Sequence, residues 1–281
     1  ELAQATGDSS YLRAAVRAMA FVTREVLPRQ RWYDFETFLS CARKPFDFYD
    51  AWTAQYPQNS LSMIQAAKAY LKLYQLTKDE RYLVRGNAVT DYLVLLQQVW
   101  IPPLFSPKLF GGFTTQNTDA EWSDARQCYV AELLFDYYKE TRSAEFLERA
   151  VAAARSSFAV APWENWAHTG FADEPGSLTG IHWGTGSGMT SVEMMSGLLG
   201  DAFIDVRRSL GVGFNACTVA GLKVAGTAIS FRLESAGTPR PVRIRFAGIR
   251  PELTYRLAPN GHDWVEVAGR RLVDEGYLFE E

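Results

Sequence analysis

Three carboxyl side chains, Asp119, Glu121 and Asp124, fall within six positions of the stretch GGFTTQNTDAEWSDAR at residues 111–126. Carboxyls set this close can divide the work of general acid and general base between them. The same letters can also start a helix. Thr118 and Glu121 have the spacing of a capping box, and Asp119 would sit in the first turn, where the positive helix end favours an acid. Capping explains those two acids and leaves Asp124, which shares a helix face with Glu121 three residues before it. Asn117 and Arg126 add a neutral hydrogen-bonding group and a cation, and Trp122 a flat ring. A second acid group lies in KPFDFYDAW, where Asp47 and Asp50 stand among Phe46, Phe48, Tyr49 and Trp52. Its plainer reading is an aromatic-anchored loop with its acids in water. A third stretch, residues 168–188, carries His168 and, beside Trp183, His182. Its GTGSG lacks the Lys and the preceding strand of a phosphate loop and reads as a turn. No His–Glu or Cys–His spacing suggests a catalytic zinc, and no cofactor motif is found.

These groups must be held by helices. TGDSSYLRAA, TKDERYLVRG and TRSAEFLERA start at Thr6, Thr77 and Thr141, 71 and 64 residues apart, and align without gaps. Each has Thr, an aromatic–Leu pair five and six residues on, and Ala or Gly at the ninth. The period is too long for a two-helix solenoid repeat and fits two helices plus a long loop. After each Thr turn comes an amphipathic helix with one wet side, capped by Asp8, Asp79 or Ser143. Before the second and third turns, residues 61–76 and 125–138 are apolar around most of their circumference and read as inner, buried helices. The short Thr turns join antiparallel neighbours. The return connections, roughly 28–59, 100–118 and 159–187, are long and must open on one rim, at the N-terminal end of the inner helices. Loops of that length inside a domain are usually functional. Seven of the eight tryptophans, Trp264 excepted, lie in them or at their edges.

Beyond about residue 200 the apolar period becomes two. AISFRLES (228–235), VRIRFAG (242–248) and LTYRLAP (253–259) read as strands, and Asn260-Gly261 as a hairpin turn. The expected division is a helical domain over 1–200 and a small antiparallel, sandwich-like β domain over 201–281. A chain of 281 residues, 47% hydrophobic, can bury a core of that size. Net charge is −3 with no block of like charge, which lacks the footprint of a nucleic-acid binder. No apolar run is long enough to span a bilayer. Cys41, Cys128 and Cys217 have no paired spacing and read as free thiols.

Apolar inner helices, TxDxxYL-like turns, a Trp- and acid-rich rim and a trailing β domain together resemble the six-hairpin (α/α)-toroid enzymes. These include glycoside hydrolases, polysaccharide lyases and sugar epimerases. The resemblance covers residues 1–200 and implies a mainly α fold, a partial toroid of inner and outer hairpins. It is partial because only two full inner–outer pairs are seen, which suggests part of a longer ring. It implies a glycosidase acting on an oligo- or polysaccharide, with Asp119, Glu121 and Asp124 as acid or base and Asp47 or Asp50 as partner. Trp52, Tyr49, Asn117, Trp122, Arg126, His182 and Trp183 would bind sugar. The alternatives are a lyase, with Tyr49 or His182 as base and Asn117 or Arg126 neutralising a uronate, and a non-catalytic carbohydrate-binding module. No metal or cofactor is expected. Compartment stays open, with periplasm or secretion favoured.

Overall fold

The computed structural model describes residues 1–33, 47–101, 110–114, 116–117, 127–168, 190–235, 240–261 and 263–280, with side chains of 127–128 and 158–168 excepted. The chain divides into two units, Glu1–Ser191 and Val192–Glu281, the boundary falling inside a helix.

The first unit is helical. Its elements are α1 (Leu2–Thr6), α2 (Ser9–Phe21), α3 (Ser60–Thr77), α4 (Glu80–Leu93), α5 (Gln127–Thr141) and α6 (Ala144–His168). The three repeats are the turns between α1 and α2, α3 and α4, and α5 and α6, and their threonines show why the motif recurs. Each Thr hydroxyl donates back four residues, from Thr6 to Leu2 O (2.7 Å), Thr77 to Leu73 O (2.7 Å) and Thr141 to Tyr137 O (2.8 Å). Each then accepts from the amide two residues on, that of Asp8, Asp79 or Ser143. The intervening residue is left-handed in all three, at φ 73° for Gly7, 57° for Lys78 and 63° for Arg142, which closes the helix before it. Asp8 and Asp79 then accept from Ser10 N and Arg81 N, capping α2 and α4.

Helix α3 is the buried centre of the unit and packs against α2, α4 and α5. Two tyrosine hydroxyls tie it in. The Thr23 hydroxyl donates to Met19 O, so at 2.8 Å it accepts from Tyr70 of α3. Thr23 belongs to a π-helical turn, Val22–Val26, that ends α2. Tyr137 of α5, fully buried, donates to Ala67 O of α3 at 2.8 Å. Burial pushes its phenol far above the ordinary tyrosine range, so it stays a donor. The ring fits because the repeat residue nine beyond Thr77, on α4, is Gly86, where a Cβ would overlap the Tyr137 hydroxyl and crowd Tyr70.

The second unit holds α7 (190–199), β1 (Ala202–Asp205), β2 (Leu210–Gly213), β3 (Cys217–Ala225), β4 (Ala228–Ser235), β5 (Val242–Ala247), β6 (Thr254–Leu257), β7 (Val265–Ala268), α8 (Gly269–Asp274) and β8 (Tyr277–Phe279). A four-stranded sheet has the order β2-β1-β5-β8, and β3-β4 and β6-β7 pair as separate two-stranded ladders. Ala202, Ile204, Val242, Ile244 and Phe246 form its core with Cys217, Val267 and Leu272. Cys217 is buried.

The fold class differs from the sequence expectation. The protein is mixed α/β rather than mainly α, and the described helices form hairpins packed around α3 that nothing among the described residues closes into a toroid. The C-terminal sheet is mixed, not antiparallel, because β1 and β5 run parallel, Ala202 opposite Ile244. Strand β1 is buried at every position, so AFID shows no alternation from which a strand could be read. Helix α6 continues to His168, so Trp163 and Trp166 lie on a helix and not in the third connection. No described helix is long and apolar enough to cross a membrane.

Two outcomes test this packing. Gly86→Ala should lower stability by about 1–3 kcal/mol through overpacking, and Tyr137→Phe by about 1 kcal/mol through its lost hydrogen bond. The double variant should be less destabilised than the sum, because removing the hydroxyl relieves the overlap; additivity in urea unfolding would contradict the contact. Asp79 is held below the usual carboxylate range, first by its hydrogen bonds to the Arg81 side chain and then by the Arg81 amide. A depressed folded value adds stability above the unfolded pKa of about 3.9, lost as pH falls through the folded value. Asp79→Asn keeps a cap, so its deficit in Tm should be present at neutral pH and vanish below that window.

Candidate functional site

The described parts of the first two return connections meet at the N-terminal end of α3. After the π turn the chain enters left-handed geometry at Gln30 (φ 49°) and runs parallel to the approach of α3. Trp32 N donates to Pro57 O (3.1 Å) and Asn59 N to Trp32 O (2.8 Å). The second connection folds back through Gln98 N to Gly112 O and Gly111 N to Gln98 O, and Gln116 pairs with Asn59. Asn117 then clasps the two. Its Oδ1 accepts from Gln58 N (2.9 Å), and its Nδ2 donates to Gln55 Oε1 (2.9 Å) and Tyr56 O (3.3 Å).

Against this clasp lies a cation–aromatic–carboxylate cluster. The Arg31 guanidinium stacks 4.3 Å over the Tyr56 ring. It also donates to the Tyr56 hydroxyl (2.8 Å) and to Asp47 Oδ1 (3.3 Å). Its charged form is favoured chiefly by the Tyr56 hydrogen bond, with burial opposing and Asp47 adding to the effect. Tyr49 meets Tyr56 edge-on at 5.0 Å between centroids. The Tyr33 hydroxyl lies 3.5 Å from the same Asp47 oxygen. Its phenol is pushed up by burial first and by Asp47 among the smaller causes, and Arg31 opposes them. Asp47 itself is left-handed, φ 64°, a conformation that Asp tolerates better than most residues.

The structure therefore gathers Asp47, Tyr49 and Asn117 but gives them different work. Asp47 offers half-exposed acceptor oxygens beside rings and a cation. Asn117 spends its amide on holding the connections together. Asp50 begins a tight reversal, pairing with Gln55. Both its oxygens accept locally, from Trp52 N (2.9 Å) and Thr53 Oγ1 (3.0 Å). Trp52 sits on the tip of that reversal, 98% exposed, whereas Trp32 is 3% exposed and packs the connection down. Asp119, Glu121, Trp122, Asp124, Arg126, His182 and Trp183 lie outside the described residues. No group of three metal-binding side chains occurs among the described residues.

Arg31 is the residue that the sequence did not disclose. It sits in RQRWY, where neither spacing nor neighbours separate it from a surface cation. Sequence reasoning misses Asn59 and Ser60 as well, and the signal that would find them is an N-cap residue type directly before the apolar run of α3. No model of a known protein family matches the chain, and no curated protein matches it significantly.

Replacing Asn117 by Ala should cost about 1–3 kcal/mol, since it strands the Gln58 amide and frees two acceptors. Amide exchange should accelerate first over residues 55–59; uniform protection in the variant would show that the clasp is dispensable.

Proposed function

We propose that the rim at the N-terminal end of α3 is a carbohydrate site and that the protein is a glycoside hydrolase using carboxyl acid–base chemistry on an oligo- or polysaccharide. The observation that carries this is Asp47, a carboxylate with accessible oxygens flanked by Tyr33, Tyr49, Tyr56 and the Arg31 guanidinium. Aromatic rings with polar edges suit a ligand that has apolar faces and many hydroxyls. Beside a guanidinium, Asp47 presents acceptor oxygens, which suits a base or nucleophile rather than a proton donor. The acid would come from Asp119, Glu121 or Asp124, two to seven residues beyond the Asn117 clasp. The carboxyl separation, about 5 Å or about 6.5–9.5 Å, would then select retention or inversion. Trp52, on its exposed tip, would extend the aromatic surface.

One observation favours a second reading, a carbohydrate-binding module without turnover. Asp50 has both oxygens engaged in its own turn, which leaves Asp47 as the one carboxylate among the described residues of the first connection that is offered to a ligand. The lyase alternative would neutralise its uronate with Arg126 rather than Asn117, whose amide is committed to three protein partners.

Reducing-end release from a panel of oligosaccharides tests the reading. Asp47→Asn should lower kcat by about 10²–10⁴-fold and leave substrate affinity within a few-fold. Undiminished turnover in that variant would remove Asp47 from the chemistry. Binding without release by the unaltered protein would favour the module, and an absorbance rise from an unsaturated product would favour the lyase.

A further inference from the structure

Four polar atoms beside the mouth of α3 are buried without a hydrogen-bond partner: Arg31 Nε, Gln58 Oε1, Asn59 Nδ2 and Ser60 Oγ. Asn59 is 1% exposed and Ser60 0%. Folded proteins leave few such groups unpaired, and each that remains calls for a cause such as strain, a catalytic role or a bound water or ion. Other bonds fix where these groups sit. Asn59 Oδ1 caps α3 by accepting from Ser62 N (3.0 Å), which holds its amide nitrogen over the first turn. Ser60 is the first residue of this 18-residue helix. Gln58 uses its amide nitrogen on Gln30 O (2.6 Å) and Tyr56 O (3.0 Å), which leaves its oxygen as an acceptor. The set is rich in donors, has one side-chain amide acceptor, and lies at the positive end of a helix dipole. That complements an anionic oxygen pair next to a hydroxyl.

We propose that the N-terminal end of α3 is a subsite for a carboxylate-bearing sugar. The carboxylate accepts from Asn59 Nδ2 and Ser60 Oγ, and a neighbouring hydroxyl donates to Gln58 Oε1. This rests on the reading of the rim as a carbohydrate site and names the substrate class that it takes. Glucose and other neutral sugars lack the group that the helix end attracts, so discrimination between acidic and neutral sugars is its signature.

Calorimetric titration of the full chain with D-glucuronate, D-glucose and sodium acetate tests it. Glucuronate should bind at least tenfold more tightly than either of the others. Asn59→Asp keeps a side chain that caps α3 equally well but replaces the donor by a like charge. It should lose tenfold or more in glucuronate affinity with Tm held. Ser60→Ala, a smaller change, should lose a few-fold and serves if the first variant does not fold. Equal binding of glucuronate and glucose, no binding of glucuronate, acetate binding as tightly as glucuronate, or unaltered affinity in both variants would overturn the proposal. The readout is binding, so its failure differs from failure of the hydrolase reading: glucuronate bound without any hydrolysis sinks only the latter, and turnover confined to neutral glycosides sinks only the former.

Discussion

The hydroxyl of Tyr137 reaching the carbonyl of Ala67 across the space left by Gly86 is the contact on which the helical unit turns. It brings α5 against α3 while α4 stays close to both, and it does so in a place where an unpaired phenol would be costly. Tyr70, one turn along α3 from Ala67, repeats the device by meeting Thr23. Between them the two tyrosines hold the central helix from two neighbours. The register of its first turn, Asn59 to Ser62, then follows from its register in the core.

That register matters because the return connections are anchored there and not to each other alone. Trp32 with Gln58 and Asn59 with Gln116 form short backbone bridges at the helix mouth. Asn117 closes them, and the Arg31–Tyr56–Asp47 cluster is built on them. Two left-handed residues of this region, Gln30 and Ala54, are strained choices for side chains of their kind. Such strain persists when surrounding bonds over-determine it, and it gathers at functional sites. A rim made this way can hold a carboxylate and rings in fixed relation without a continuous strand or helix through them.

The sequence disclosed some layers of this and not others. The Thr turns were legible because the same two hydrogen bonds are needed three times, so the same residue recurs three times. Helices α3 and α5 were legible because burial on several sides leaves an apolar run. Strand β4, with alternate residues facing inward, was read over its full length, while the fully buried β1 gave no period to read. The ring expected from the hairpins was not borne out, since apolar faces say that helices pack and not whether their succession closes. Of the site, Asp47 and Tyr49 could be picked out by composition. Their partner Arg31 could not, because its role depends on a meeting with Tyr56 25 residues away. The split of duties between Asp47 and Asp50 depends on local turn geometry that the letters FDFYDAW do not reveal.

The central claim is that the mouth of α3 receives sugar. Hydrogen–deuterium exchange of the full chain with and without an acidic oligosaccharide tests it most directly. The account expects added protection at the amides of residues 47–59 and 110–117, with little change at the β6–β7 hairpin. Protection confined to that hairpin, or no change at residues 47–59 under saturating ligand, would contradict it.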